Sequence, residues 1–245
     1  MRRNQISVKG AIFFAFVFLI SWAVFPFGGS RPDPGNGGGG DGGNRPDPGN
    51  GGGGGIVDSE TRQWQNILKE HGGKVMNPSK YAENESGFNQ YMRDSGLQDH
   101  SPLKIITPNN SSAAKRCGYS KLLPPRSEWI RGAALAMWTQ RMGRVAGDTP
   151  RVRNWYRPTC YNSAVGGAKS SDHIQARAFD LDFSSSSARR KAQNWLCQYW
   201  KSSLNMQVGL GGVTIHIGAL SPRGKRNWYY GSYGDSDKNR TCFDR

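Results

Sequence analysis

Two histidines and one aspartate are the residues of this sequence whose types and spacing could hold a metal ion. The chain has four histidines; Asp180 follows His173 by seven residues, and His216 comes later. Two imidazoles and one carboxylate are a common ligand set for zinc, and they leave the fourth tetrahedral position to a water molecule. The three residues therefore point to the site of a metallohydrolase, although a His with an Asp is also a frequent structural pair.

Strands are expected to hold these side chains in place. Residues 178–183 alternate between apolar and polar side chains, which puts Asp180 and Asp182 on one face of a strand and the apolar residues on the other. Residues 213–217 form a second predicted strand, which carries His216. Strand positions provide the rigidity that metal ligands need.

The rest of the pattern predicts helices beside short strands. The predicted helices cover residues 58–71, the region of residues 88–92, 128–142 and 188–201. Further strands are expected at residues 104–107 and 152–156, a loop at 109–114 and a turn at 209–212. This mixture indicates an α+β fold.

The first 55 residues predict an anchor and a tether in front of the globular domain. Residues 1–10 are basic, and residues 11–27 are apolar apart from one serine. This order predicts a cytoplasmic N-terminus followed by an uncleaved signal anchor, a transmembrane helix; a cleaved signal peptide is the alternative, and both export the remainder to the periplasm or the cell-wall side. Residues 28–55 are glycine-rich and contain a duplication with a period of 14 residues, which is typical of a flexible linker.

Charge and cysteine content restrict the surroundings in which the domain works. Residues 58–245 carry 28 Lys and Arg against 15 Asp and Glu, which favours an anionic partner such as nucleic acid, acidic lipid headgroups or an anionic cell wall. The four cysteines are dispersed, and behind an export signal they predict two disulfide bonds, for which three pairings are open. Export and disulfide bonds count against nucleic acid as the partner.

A longer motif surrounds the candidate ligands. Ser171, His173, Ala176, Ala178 and Asp180 follow the spacing S-x-H-x-x-G-x-A-x-D, with alanine in place of the glycine. Other segments accompany it in a fixed order: the run at 155–162 and a Gly-Gly turn at 166–167 before it, and the glycine turn at 209–212, the strand with His216 and the basic stretch at 223–228 after it. In these features residues 151–228 resemble the zinc D-alanyl-D-alanine carboxypeptidase family, which has the hedgehog/DD-peptidase fold.

The resemblance implies a fold and a metal site. Residues 56–245 would form a hedgehog/DD-peptidase-like domain, a zinc peptidase-like α+β domain in which helices pack a small antiparallel sheet. His173, Asp180 and His216 would coordinate Zn²⁺ tetrahedrally. The substrate would be the peptide of peptidoglycan, and the reaction would be hydrolysis of an amide next to a D-amino acid.

The resemblance also implies contacts to the substrate. Arg157 matches the arginine that faces the substrate carboxylate, a role that suits the guanidinium fork; a surface ion pair is its alternative role. Ser171 matches the motif serine, which touches the substrate or shapes the loop.

Two departures from the family pattern concern the motif glycine and the general base. Ala176 fits the glycine position if its backbone φ is negative. The acid that many members carry three residues before the second histidine is replaced by Val213, and the alternative position two residues after it holds Gly218. Asp182 and Asp172 are the candidate bases that remain, and Asp182 has the alternative role of a hydrogen-bond partner to a ligand histidine.

The leading hypothesis is a membrane-anchored, exported zinc peptidase that acts as a carboxypeptidase or an endopeptidase on peptidoglycan stem peptides or crosslinks. The alternative is a non-catalytic module, zinc-bearing or metal-free, that binds the cell wall or another protein. A phage lysis or virion protein is compatible with both. The sequence leaves D,D- against L,D-specificity open.

Overall fold

The computed structural model describes residues 58–202, 204–230 and 242–244. The predicted basic segment 1–10, signal anchor 11–27 and linker 28–55 lie outside the described residues. Within the described part of the chain, every helix is too short or too polar to cross a bilayer.

Seven helices and five strands are described, so the predicted α+β class is confirmed. The helices are α1 (Ser59–Glu70), α2 (Glu85–Asp94), α3 (Pro102–Ile105), α4 (Ser111–Arg116), α5 (Trp129–Ala146), α6 (Thr159–Ala164) and α7 (Ser186–Trp200). The strands are β1 (Arg151–Asn154), β2 (Ala178–Asp182), β3 (Gln207–Leu210), β4 (Thr214–Gly218) and β5 (Arg226–Tyr229). Short 3-10 turns occur at Pro78–Lys80, Arg126–Glu128, Asp172–Gln175 and Cys242–Asp244.

The five strands form one sheet in the order β1-β2-β4-β3-β5. Three neighbouring pairs are antiparallel, but β3 and β5 run parallel. The expectation of an antiparallel sheet is therefore wrong at this edge. The parallel pairing is possible because the chain crosses back after β4, in the connection at 219–225, before it enters β5.

Two local predictions ahead of α5 are wrong as well. Residues 104–107 were expected as a strand, but Pro102–Ile105 is a helical turn; proline at the first helical position has its φ preset for a helix. Residues 109–114 were expected as a loop, but most of them lie in α4, whose first turn is capped by Asn110 accepting a hydrogen bond from the Ala113 N–H at 2.9 Å.

Helix α5 is the centre of the core and contacts the loop of the candidate site through one tryptophan. Gly132 of α5 has no side chain, so the ring of Trp155 fits against it: a Cβ there would lie 2.4 Å from that ring. Trp155 is buried and donates a hydrogen bond from Nε1 to the backbone oxygen of Ala176 at 2.8 Å. Packing of the core thereby fixes the loop between His173 and Asp180.

The two predicted disulfide bonds are present, and the structure selects their pairing. Cys117 is joined to Cys160, which connects the end of α4 to α6. Cys197 is joined to Cys242, which connects α7 to the last described turn.

Candidate metal centre

The structure brings His173, Asp180 and His216 together. Nε2 of His173 lies 3.1 Å and Nδ1 of His216 lies 2.8 Å from the same oxygen, Oδ1 of Asp180. The three donor atoms are all within 4.8 Å of one another, a spacing at which one metal ion can contact all three. Both histidines are buried and their rings are almost perpendicular, at 81°.

Sheet register and one turn create this convergence. Asp180 of β2 is the direct cross-strand neighbour of His216 of β4, so their side chains share one face of the sheet. Phe179 and Leu181 point to the opposite face and are fully buried, as the alternating pattern predicted. His173 comes from the 3-10 turn Asp172–Gln175, which precedes β2.

The hydrogen bond on the far side of His173 decides which nitrogen faces the site. Nδ1 of His173 lies 2.7 Å from the backbone oxygen of Trp155. A carbonyl oxygen only accepts, so Nδ1 carries the hydrogen and Nε2 has its lone pair free for a metal ion. Burial lowers the pKa of His173, which keeps the ring neutral at neutral pH.

Asp180 is held as a carboxylate with its two oxygens in different roles. Burial acts to raise its pKa, but the contacts with His173 and His216 outweigh burial and leave the pKa well below its usual range. Oδ1 faces the two imidazoles, whereas Oδ2 accepts hydrogen bonds from Asn154 at 3.1 Å and from Arg157 at 3.2 Å. A ligand carboxylate fixed in this way presents Oδ1 to a metal ion.

The second histidine is seated against an aromatic wall. The ring of Trp228 lies 4.9 Å from the ring of His216. Gly209 makes room for Trp228, because a Cβ there would be 2.6 Å from the indole. Nε2 of His216 is buried and has no hydrogen-bond partner among the described residues. The nitrogen of His216 that faces Oδ1 of Asp180, at 2.8 Å, is Nδ1. The donor set thus fits a metal ion that takes Nδ1 of His216, Nε2 of His173 and a carboxylate oxygen.

The three candidate ligands line a cavity of about 640 Å³ together with both predicted substrate contacts, Arg157 and Ser171. The side chain of Arg157 is 14 % exposed, and Nη2 is its only side-chain nitrogen with a hydrogen-bond partner in the described chain. The ion pair of Arg157 is thus made to Asp180 inside the cavity, which leaves part of its guanidinium for a ligand. Ser171 caps the 3-10 turn with its backbone, without a side-chain bond to that turn.

Positive charge dominates the cavity wall. Among the described residues, four arginines line it: Arg153, Arg157, Arg223 and Arg226. The carboxylates in the described lining are Asp180 and Asp182. Such a cavity favours an anionic ligand, and a bound divalent cation would strengthen that preference.

The two candidate bases make contacts of different kinds. Oδ2 of Asp182 accepts from both Arg151 and Arg153, and the Arg153 contact is 3.1 Å long. Oδ1 of Asp182 is buried without a hydrogen-bond partner among the described residues. Asp172 lies outside the cavity lining: its oxygens accept from Ser221 at 2.9 Å and from Arg223 at 3.0 Å, an arrangement that supports the turn carrying His173.

The positions where relatives carry an acid do not face the cavity. Val213 is 42 % exposed and outside the cavity lining. At Gly218 a Cβ would lie 3.3 Å from the backbone oxygen of Arg177, also away from the lining. Neither of these two positions therefore contributes a group to the cavity.

Ala176 has a φ of +53°, so the condition of a negative φ is not met. It ends the 3-10 turn in the left-handed region, where the Cβ of alanine costs roughly 1 kcal/mol relative to glycine. The residue is fully buried beside Trp155, which holds its backbone oxygen. The surrounding packing offsets the strain.

Sequence reasoning missed Asn154, which binds Asp180, and it gave Arg226 and Trp228 no separate role. Asn154 is paired with Asp180 across β1 and β2. The register of these two strands is therefore the feature that could have predicted the contact. Arg226 and Trp228 reach the cavity on β5, a strand that the basic and aromatic composition of residues 223–230 did not reveal.

Comparison with known families agrees with this geometry. Residues 126–217 match the family model described as Peptidase M15. The matched segment contains all three candidate ligands, Arg157 and Ser171. The resemblance to the zinc D-alanyl-D-alanine carboxypeptidase family is thereby confirmed, and it supports a zinc metallopeptidase. No curated protein matches the chain.

Proposed function

We propose that this protein is a membrane-anchored zinc metallopeptidase that hydrolyses peptidoglycan stem peptides or crosslinks next to a D-amino acid. The observation that carries the proposal is the convergence of His173, Asp180 and His216 in an arginine-lined cavity, within the segment that matches Peptidase M15. The hedgehog/DD-peptidase-like fold and the predicted N-terminal anchor belong to the same proposal.

Some residues of the cavity would bind the metal ion, and others would bind the substrate. Nε2 of His173, Nδ1 of His216 and Oδ1 of Asp180 would hold Zn²⁺, which supplies a water of lowered pKa and polarises the scissile carbonyl. Arg157 would bind a substrate carboxylate with Nη1, because Nη2 binds Asp180 and Nε is buried. Its place next to a ligand carboxylate would orient the peptide relative to the metal.

Charge supports an acidic peptide as substrate. Four arginines of the described chain line the cavity, and residues 58–245 have a net charge of +13. A peptide with free carboxylates, held in an anionic cell wall, is attracted by such a surface. The predicted export and glycine-rich tether would give the domain access to that wall from the membrane.

A specific observation favours the alternative, a non-catalytic module that binds the cell wall or another protein through a zinc-bearing site. Asp182 is the one carboxylate of the described cavity lining that is not a candidate ligand, and Arg151 and Arg153 occupy one of its oxygens. A zinc peptidase needs a group that takes the proton from the attacking water. Without that group, the cavity would bind the peptide and not cleave it.

Cleavage assays with the full-length protein distinguish the two functions. The protein is incubated with purified peptidoglycan and with soluble muropeptides, once with zinc and once with a chelator, and the products are identified by mass spectrometry. The peptidase proposal expects chelator-sensitive release of a terminal D-residue or opening of crosslinks. The binding-module alternative expects one zinc per chain and co-sedimentation with peptidoglycan without product. If no metal binds and His173→Ala changes neither result, both functions are wrong.

A further inference from the structure

A second cavity adjoins the metal-site cavity. It has a volume of about 450 Å³ and shares two lining residues, Asn109 and Arg153, with the first cavity. One wall comes from α3 and the residues on both sides of it, and the other comes from β1 and the two residues before it. A ligand that occupies the metal-site cavity can therefore continue into the second one past Arg153.

Strand β1 provides a measure of the distance between the two cavities. It is an edge strand, with β2 as its neighbour in the described sheet. Its last residue, Asn154, contacts the candidate ligand Asp180, and its first residue, Arg151, lines the second cavity. Three residue-to-residue steps along the strand separate these two ends, which is about 10 Å. An extended peptide beside β1 would cover the same distance with about three residues.

The second cavity combines positive charge with an apolar floor. Its cations are Lys104, Arg151 and Arg153. Lys104 is exposed and makes no ion pair in the described chain, and Arg153 uses only Nε to bind Asp182. The floor contains the buried side chains of Ile105 and Val152.

Asp182 pairs with Arg151 and Arg153 and offsets part of their charge, so Lys104 is the cation of this cavity that no described carboxylate binds. The carboxylate of the cavity lining, Asp99, is bound by Arg144 at 2.8 Å. Burial lowers the pKa of His100, so this ring is neutral at neutral pH. The cavity thus matches a short peptide segment that has both a carboxylate and aliphatic groups.

We infer that the second cavity is a binding subsite for an acidic segment of the same peptide whose scissile bond lies at the metal centre, about three residues away. Lys104 and the free nitrogens of Arg153 bind the carboxylate of that segment. This inference rests on the proposed function for the identity of the peptide. It predicts that affinity depends on peptide length, because Lys104 lines the second cavity and not the metal-site cavity.

Equilibrium binding to chelator-treated, full-length protein tests the subsite without turnover. The two ligands are a synthetic acidic stem pentapeptide and its C-terminal dipeptide, titrated by calorimetry. Lys104→Glu is expected to weaken pentapeptide binding about fivefold or more, because an attraction becomes a repulsion, and to leave the dipeptide unchanged. The matched control is Lys80→Glu, since Lys80 is an exposed lysine outside both cavities; it should affect neither ligand.

The result also separates this inference from the proposed function. Equal effects of Lys104→Glu on both ligands, no effect on the pentapeptide, or no pentapeptide binding overturns the subsite. Cleavage by the zinc-loaded protein is measured in parallel. If the protein cleaves the peptide but Lys104→Glu leaves pentapeptide binding unchanged, only the subsite is rejected. If binding depends on peptide length but no cleavage occurs, the peptidase function is rejected and the subsite is kept.

Discussion

The imidazole of His173 can offer only Nε2 to a metal ion, because Nδ1 donates to the backbone oxygen of Trp155. Each candidate ligand therefore supplies one donor that no neighbour replaces. We expect His173→Ala, Asp180→Asn and His216→Ala each to reduce the zinc content from about one ion per chain to less than about a tenth. Elemental analysis after dialysis against zinc-free buffer measures this content.

The matched control for these variants is His100→Ala. His100 is a partly buried histidine outside the three-residue cluster. The control should keep its zinc. A His216→Ala protein that also keeps a full zinc ion, with the fold intact, would show that the cluster is not the metal site.

Substitution of Asp182 tests whether this residue is the general base. A true general base contributes roughly 10²- to 10⁴-fold to the rate. Since two arginines already hold Oδ2 of Asp182, we expect Asp182→Asn to lower kcat/KM less than about tenfold on a cleavable muropeptide. Zinc content should stay the same. A loss beyond a hundredfold with normal KM and zinc content would instead assign the base to Asp182.

At the scale of the elements, the sequence was informative where neighbouring residues decide the structure. Strand β2 was predictable because apolar and polar side chains alternate along it. This alternation placed Asp180 and Asp182 on one face. Strand β3 was read as a turn because of its glycine, yet Gly209 is there to admit Trp228 of β5. The parallel pairing of β5 depends on contacts between distant residues, so local patterns carried no signal for it.

The disulfide pairing and the conformation of Ala176 could not be predicted from the sequence, for related reasons. Pairing four cysteines requires knowing which segments meet, and Cys117 meets Cys160 only after α4 packs beside α6. The left-handed φ of Ala176 follows from the bond between its backbone oxygen and Trp155 in the core. Both depend on tertiary packing.

Helix α1 supports the candidate metal centre from outside the segment that matches the family. Oε2 of Glu60 accepts a hydrogen bond from Arg177 at 2.7 Å, and Oε1 accepts one from Arg131 at 2.8 Å. Arg131 in turn donates to the backbone oxygen of Gln175 at 2.7 Å. Glu60 thus holds both ends of the 175–177 loop, which lies between His173 and Asp180.

We expect Glu60→Gln to weaken zinc binding about tenfold, because groups that orient ligands typically contribute that much to metal affinity. Competition with a chromophoric chelator measures the dissociation constant. Glu70→Gln in the same helix is the control, because the Glu70 side chain forms no ion pair among the described residues. A fall in thermal stability with unchanged zinc affinity would contradict the positioning role of Glu60.

A buried histidine between helices predicts that the domain loses stability in acid. His71 ends α1 and stacks on Trp138 of α5, with ring centroids 5.3 Å apart, and it also contacts Tyr199 of α7. Burial, aided by the charge of Arg141, lowers the pKa of His71 to about 4. The folded protein therefore holds this ring in the neutral form well below the pH at which it protonates in the unfolded chain.

The direction of the pH effect follows from that lowered pKa. The stability contributed by neutral His71 is complete above about pH 6.5 and is lost as the pH falls toward 4, by roughly 3 kcal/mol in total. His71→Phe keeps an aromatic ring and cannot protonate, so between pH 7 and 4 its free energy of unfolding should fall about 3 kcal/mol less than that of the wild type. Urea denaturation across this pH range measures both. Parallel curves would rule out His71 as the acid-sensitive group.

At the scale of the whole molecule, the disulfide bonds enclose the elements that build the site. The loop closed by Cys197 and Cys242 contains β3, β4 and β5, and therefore His216 and Trp228. The loop closed by Cys117 and Cys160 contains α5 and β1, and it ends beside the buried Tyr161, whose hydroxyl accepts from the Asn110 N–H at 3.1 Å in the cavity wall. The bonds thus restrict the unfolded chain around both sides of the metal centre.

The loop lengths predict how much these bonds stabilise the protein. The second disulfide joins residues 45 positions apart, for which chain entropy gives up to about 4 kcal/mol. We expect the double variant Cys197→Ser/Cys242→Ser to lose about 2–4 kcal/mol of the free energy of unfolding, measured by urea denaturation, and to lose zinc in parallel with unfolding because β4 carries a ligand. Adding a reductant should lower the stability of the wild type and leave a variant without either disulfide unchanged. If neither the reductant nor the double substitution changes the midpoint of urea denaturation, the disulfide bonds do not contribute to the stability of the domain.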